Sequence, residues 1–229
     1  MKRKQANLEL IEIVAEALGE LCQQCVFVGG SIIGLLVTDP AIRDVRATDD
    51  VDVVVQVASY AKYAQFQELL RARGFQHVMD GPNCRFKINE TIVDVMPSEE
   101  SILGFHNKWY PLIFEKPLGL QLTQKLSILV VDPALFLCSK LEAFHDRGKS
   151  DYVMSHDIED AITILYGRYE IFMEICKAAK EARDYLNKEF KQMLADELFL
   201  EALPGMIQSG PLEEDLLIKQ RMQVIINCA

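Results

Sequence analysis

The stretch Arg46-Ala47-Thr48-Asp49-Asp50-Val51-Asp52-Val53-Val54-Val55-Gln56-Val57 decides how the rest of the chain is read. From Val51 onward it is almost purely β-branched, the composition of a strand buried on both faces for most of its length. Strand side chains alternate, so Asp50 and Asp52 project from one face while Val51 and Val53 point to the other. Two carboxylates placed this way repel each other and are costly to bury without a cation between them. Oxygen donors of this kind suit Mg²⁺, which also holds substrate phosphates and waters. A solvated acidic turn ahead of a strand is the alternative reading of the same residues.

Upstream, Cys25-Val26-Phe27-Val28 reads as a short apolar strand, broken by Gly29-Gly30-Ser31 and followed by a short helix that Asp39-Pro40 ends. Two glycines let the backbone approach a ligand closely, and a helix start offers free N–H groups to a phosphate. A plain turn is the alternative. Downstream, residues 85–88 and 92–96 read as two strands of a hairpin joined by Asn89-Glu90. Asp94 sits inside the second strand, with no compensating basic residue nearby in sequence. An Asp in an apolar strand is unfavourable unless satisfied. With that strand beside residues 51–57, Asp94 completes a three-carboxylate site for two Mg²⁺ ions; a buried Asp bonded to loop amides is the alternative. Arg85 and Lys87 alternate on their strand and either line a substrate cleft or stand in solvent.

The chain has 229 residues, enough for one large domain or two small ones. Lys plus Arg number 24 and Asp plus Glu 34, a net charge of −10. That balance excludes a basic nucleic-acid-coating protein, though not a local basic groove. The longest apolar stretch, residues 26–37, is too short and too rich in glycine to span a bilayer. The basic start Met1-Lys2-Arg3-Lys4 leads into a charged amphipathic stretch rather than a signal-peptide core, so a cytoplasmic protein without membrane partners is expected. The cysteines (Cys22, Cys25, Cys84, Cys138, Cys176, Cys228) are scattered and read as buried or incidental thiols, Cys22-Gln-Gln-Cys25 included. His77, His106, His145 and His156 show no metal-ligand spacing.

Helical periodicity marks residues 7–22 and 59–73, the latter with Ser59 as N-cap and Gly74 as stop. After Asp132-Pro133 the pattern becomes helical throughout, over residues 134–146, 156–166, 169–203 and 213–226, punctuated by Pro204-Gly205 and Gly210-Pro211. The expected organisation is an α+β core over residues 1–132, built on a mixed sheet, and a helical subdomain over residues 133–229.

The ordered set of a Gly-Gly-Ser turn, an Asp-x-Asp on a strand and an isolated Asp on a later strand resembles the DNA polymerase β-like nucleotidyltransferase superfamily. Arg46-Ala47-Thr48-Asp49-Asp50-Val51-Asp52 is similar to the R-x-T-x-D-[IV]-D wording of the AbiEii-type branch, which includes toxins of toxin–antitoxin systems. Lys140-Leu141-Glu142-Ala143 with Arg147 resembles that branch's K-x-x-A-x-x-x-R helix, and His156-Asp157-Ile158-Glu159-Asp160 its R-D-x-x-D helix start. His156 departs from the usual Arg, and the segment between Arg147 and Asp157 is longer than in the compact form. The likeness covers roughly residues 26–165.

The resemblance implies a nucleotidyltransferase core whose active site lies in a cleft against the helical half. It implies Mg²⁺-dependent transfer of NMP from an NTP, ATP among them, to an acceptor hydroxyl on a tRNA 3′ end or a protein, with an antitoxin as a possible partner. Asp50, Asp52 and Asp94 would hold two Mg²⁺ ions; Gly29, Gly30 and Ser31 would hold phosphates, with Arg46 and Thr48 at the nucleotide. Lys140 would reach the phosphates as a catalytic cation, and Asp157 would position that lysine or the nucleotide. Asp157 and Asp160 are expected on one helix face, with Ile158, Ile162 and Leu165 as the core-facing stripe. A small-antibiotic nucleotidyltransferase and a non-catalytic nucleotide- or partner-binding protein on the same fold are the alternatives.

Overall fold

The β-branched run forms the middle of the sheet, where neighbours on both sides bury its valines. In the computed structural model, residues 2–42, 44–104, 107–147, 151–206 and 214–227 are described; Met1, His106, Gly210-Pro211, the expected helix start at residue 213 and Cys228 lie outside them. The strands are β1 (Cys25–Val28), β2 (Asp50–Val55), β3 (Gln76–His77), β4 (Arg85–Ile88), β5 (Thr91–Pro97), β6 (Leu118–Gln121) and β7 (Ser127–Val130). They form one mixed sheet in the order β3-β4-β5-β2-β1-β7-β6. β2 runs antiparallel to β1 and parallel to β5, and Val51, Val53, Val54 and Val55 are buried. The protein is therefore α+β.

The chain divides into two compact units, residues 1–34 with 44–132 and residues 35–43 with 133–229. Segment 35–43 thus belongs with the helices: the Thr38 and Asp39 amides both donate to the Gly167 carbonyl, and Arg168 donates to the Leu36 carbonyl.

In the first unit, α1 (Lys2–Leu18) starts before the expected residue 7 and gives way to a 3₁₀ segment at Gly19–Gln24. Ile11, Val14, Ala15 and Leu18 form its buried stripe. A 3₁₀ turn at Gly30–Ile32 precedes α2 (Ile33–Leu36), so the helix after the double glycine is a single turn. In α3 (Tyr60–Ala72), Ser59 accepts a hydrogen bond from the Lys62 amide as the N-cap, and Gly74 follows with φ +91°. Tyr63 of α3 donates its hydroxyl to the Val95 carbonyl, tying that helix to β5. α4 (Glu100–Leu103) is short. The edge strand β6 was not expected, because Leu-Gly-Leu-Gln carries no β-branched residue.

The second unit holds α5 (Pro133–Arg147), α6 (His156–Gly167), α7 (Ile171–Lys177), α8 (Lys180–Ala195), α9 (Glu197–Met206) and α10 (Glu214–Ile226). The single helix expected over residues 169–203 is in fact three. One break is legible afterwards: Asp196 is extended, and its carboxylate accepts from the Leu198 amide, the local bond that Asp offers in place of helix. The other, at Ala178 and Ala179, runs against the high helix propensity of Ala and has no local signal. Pro204-Gly205 lies inside α9.

Cys22, Cys25, Cys84 and Cys138 are buried and stand outside any disulfide; Cys22 donates to the Ala15 carbonyl, and burial pushes its thiol up to about 11. Cys176 is disulfide-bonded, which corrects the reading of every cysteine as a thiol. Among the described residues no helix is long and apolar enough to cross a membrane.

Candidate functional site

Register lines up one row of residues across four strands: Arg85 of β4, Asp94 of β5, Asp52 of β2 and Val28 of β1. Asp50 shares the face of Asp52 and stands beside Ile92 of β5. The parallel pairing of β2 with β5 therefore sets Asp52 directly against Asp94, although the two are far apart in sequence. Asp94 is buried, whereas Asp50 and Asp52 are half-buried.

Asp94 does have a basic partner, which corrects the expectation from sequence. Arg85 donates from Nε to Asp94 Oδ1 at 2.8 Å and from Nη2 to Oδ2 at 2.7 Å, a bidentate fork. The same Nη2 lies 3.9 Å from Asp50 Oδ2. The other strand of its own hairpin satisfies this carboxylate. The Asp94 hydrogen bonds hold the Arg85 guanidinium even further above its ordinary value, so it stays charged at any working pH. Next to it, burial and then the Asp94 charge push the Cys84 thiol up to about 12, leaving no thiolate in the site.

At the end of β1, Gly29 has φ +73°, and a Cβ there would fall 1.9 Å from Asp52 Oδ2. Only glycine permits the Asp52 carboxylate to lie against the backbone at this turn. Gly30 and Ser31 follow, both buried, and Ser31 Oγ has no hydrogen-bond partner among the described residues. A buried hydroxyl left unsatisfied costs about 1–3 kcal/mol, so it calls for an explanation.

The loop before β2 is pinned from α1. Asn7, buried, donates from Nδ2 to the Arg46 carbonyl and accepts from the Thr48 amide through Oδ1. Thr48 in turn donates its hydroxyl to Asp50 Oδ1 at 2.8 Å. Thr48 thus orients Asp50, and Asn7 orients Thr48. Sequence reading passed over Asn7 because nothing local distinguishes a buried Asn on an amphipathic helix.

The donor chemistry of Asp50, Asp52 and Asp94 suits a hard divalent cation. Their arrangement is not that of a formed centre: among the described residues no group of three or more His, Cys, Asp or Glu side chains stands ready to hold a metal. Arg85 holds the oxygens of Asp94 that a metal would need.

The second unit contains its own charge cluster. Lys140 Nζ lies 3.1 Å from Asp157 Oδ1 and 2.7 Å from Asp160 Oδ2, with all three side chains under a tenth exposed. Arg147 donates from Nε and Nη2 to the two Asp157 oxygens. Burial works to raise the Asp157 carboxyl, but Arg147 and Lys140 outweigh it and hold the group below its ordinary value. Asp157 is thus an ion-pair partner of Lys140. Asp157 and Asp160 share the face of α6 that meets Lys140, and Ile158, Ile162 and Leu165 are buried as the core-facing stripe; the two carboxylates are buried as well, because Lys140 supplies the charge that makes their burial tolerable. His156 is exposed and 3.4 Å from Glu159.

Compared with known proteins, the chain matches no protein-family model and no curated protein sequence. The arrangement of side chains therefore carries the functional argument. The pairing of Arg85 with Asp94 was within reach of sequence logic. A two-residue connection at Asn89-Glu90 pairs Ile88 with Thr91, and the same register carries Arg85 onto Asp94.

Proposed function

We propose that the chain is a nucleotidyltransferase that moves NMP from an NTP to an acceptor hydroxyl. The observation that carries this reading is the pairing of Asp52 with Asp94 on adjacent parallel strands, Asp50 on the same face, beside a glycine that leaves room for the Asp52 carboxylate. In this reading Asp50, Asp52 and Asp94 hold Mg²⁺, which when bound neutralises phosphate charge and activates the acceptor hydroxyl. Thr48, held by Asn7, keeps Asp50 oriented as a ligand. The Gly29-Gly30-Ser31 turn takes the β- and γ-phosphates, and a phosphate oxygen there gives the buried Ser31 hydroxyl its missing acceptor. The acceptor oxygen bonds to the α-phosphorus as the bond to the bridging oxygen breaks. Pyrophosphate leaves with that electron pair, and the acceptor proton passes to a carboxylate of the cluster.

Lys140 takes no part in this chemistry, since an ammonium buried between two carboxylates is already compensated. Arg46 stands at the nucleotide by resemblance alone. A tRNA 3′ end or a protein hydroxyl is the proposed acceptor, in the manner of a toxin held by an antitoxin.

A second reading, a nucleotide-binding protein without transfer, is favoured by the bidentate hold of Arg85 on Asp94. Incubating the full chain with each of four α-labelled NTPs and Mg²⁺, against total RNA, lysate protein and a hydroxylated antibiotic, separates these readings. Label on RNA or protein, absent with Asp52→Asn, supports the proposal, and label on the antibiotic alone transfers it to the small-molecule class. NTP binding with no labelled acceptor overturns transfer in favour of the second reading.

A further inference from the structure

We infer that Arg85 is the resident counter-ion of the carboxylate site and sets its affinity for divalent cations by occupying Asp94. The inference rests on the reading of Asp50, Asp52 and Asp94 as metal ligands given above. Its ground is geometric. One guanidinium spans both oxygens of Asp94 at 2.8 and 2.7 Å and leans toward Asp50 at 3.9 Å, so it stands where the charges of two carboxylates converge. Guanidinium and metal compete for the same oxygens, because a carboxylate that accepts a bidentate fork has its best lone pairs engaged.

The exchange is open to solvent. The Arg85 side chain is 34% exposed and that of Asp94 12%, so the guanidinium can leave toward water without being stranded in the core. Arg85 also belongs to the strand next to β5 and not to a distant loop, so its presence at Asp94 is fixed by register and independent of any ligand. In the turn that begins at Gly29, against which Asp52 lies, the buried Ser31 hydroxyl still lacks a hydrogen-bond partner among the described residues.

The wild-type chain therefore binds a divalent cation against an internal competitor. If the fork is closed for nine-tenths of the time, the apparent affinity is about tenfold below that of the open site. The probe is Mn²⁺, whose binding to the full chain is followed by electron paramagnetic resonance and by calorimetry. Arg85→Gln is expected to bind Mn²⁺ about tenfold more tightly than wild type, and Arg85→Gln with Asp94→Asn to lose the gain. In thermal unfolding, Arg85→Gln should melt lower than wild type in chelator and recover more on adding Mn²⁺. Should Arg85→Gln fold poorly, Arg85→Lys keeps the charge but loses the fork, and still tightens Mn²⁺ several-fold. Equal Mn²⁺ affinity in wild type and the Arg85 variants overturns the inference while leaving nucleotide transfer standing. Tighter Mn²⁺ in a chain that labels no acceptor upholds it and overturns transfer instead. No saturable Mn²⁺ binding in any of these proteins overturns it as well.

Discussion

The two charge clusters use the same ingredients and reach opposite ends. In the sheet, Arg85 neutralises Asp94 and faces Asp50, with side-chain exposures of 34% for Arg85, 12% for Asp94 and 36% for Asp50. In the helical unit, Lys140 sits between Asp157 and Asp160, with side-chain exposures of 8%, 6% and 1%. Solvent access decides what each can do. A partly exposed pair is worth about 0–1 kcal/mol and exchanges its partners, whereas breaking a buried pair costs about 3–5 kcal/mol. The first cluster is suited to trade a guanidinium for another cation. The second holds α5 against α6, and Arg147 seals it from outside.

The largest effects should separate the clusters by kind. Asp52→Asn and Asp50→Asn should each lower the rate of α-label transfer by at least about a thousandfold, about 4 kcal/mol of barrier, with the urea midpoint little changed. Lys140→Ala should do the reverse, losing about 3–5 kcal/mol in urea unfolding because the ammonium between the buried Asp157 and Asp160 carboxylates is removed. Arg85→Gln should cost less, about 1–3 kcal/mol in the same assay, because the Asp94 carboxylate loses its fork but keeps some access to water. Equal losses for Lys140→Ala and Arg85→Gln would erase the distinction.

A smaller effect isolates the contact at the glycine turn. Gly29 and Gly104 share positive φ, +73° and +75°, but a Cβ at Gly104 meets nothing while one at Gly29 meets Asp52. Gly104→Ala should cost about 1 kcal/mol, the backbone share alone, and leave transfer intact. Gly29→Ala should cost about 1–3 kcal/mol and impair transfer, since Asp52 must shift.

The smallest effect is on pH dependence. Asp157 is held below its ordinary value, so its contribution to stability is fully present above the unfolded carboxylate value of about 3.9 and is lost as pH falls through the lowered folded value. Arg147→Ala should reduce that contribution and let it disappear at higher pH, moving the acid-unfolding midpoint upward; Asp157→Asn should flatten the acid limb. An unchanged midpoint in Arg147→Ala would show that its fork adds nothing to that of Lys140.

How far the sequence could be read follows from which forces are local. Alternation and β-branching identified β1, β2, β4 and β5, and with them the common face of Asp50 and Asp52. The hydroxyl cap on α3 was equally legible, because a cap is a neighbour's hydrogen bond. Adjacency of β2 and β5 was a conjecture from the isolated Asp94, since pairing across the chain leaves no local mark. Arg85 escaped because its alternation with Lys87 was read without extending the hairpin register to Asp94. The depth at which Asp157 and Asp160 are buried on α6 leaves no local mark, because it depends on Lys140 from another helix. The helix break at Ala178-Ala179 and the strand β6 have no local signal and are set by packing.

Titrating Mn²⁺ into the isotopically labelled full chain and mapping amide line broadening tests the carboxylate site most directly. Broadening centred on Gly29, Asp50, Asp52 and Asp94 and abolished by Asp52→Asn is the predicted result. Broadening that is diffuse, or that survives Asp52→Asn, would contradict a cation site on the sheet.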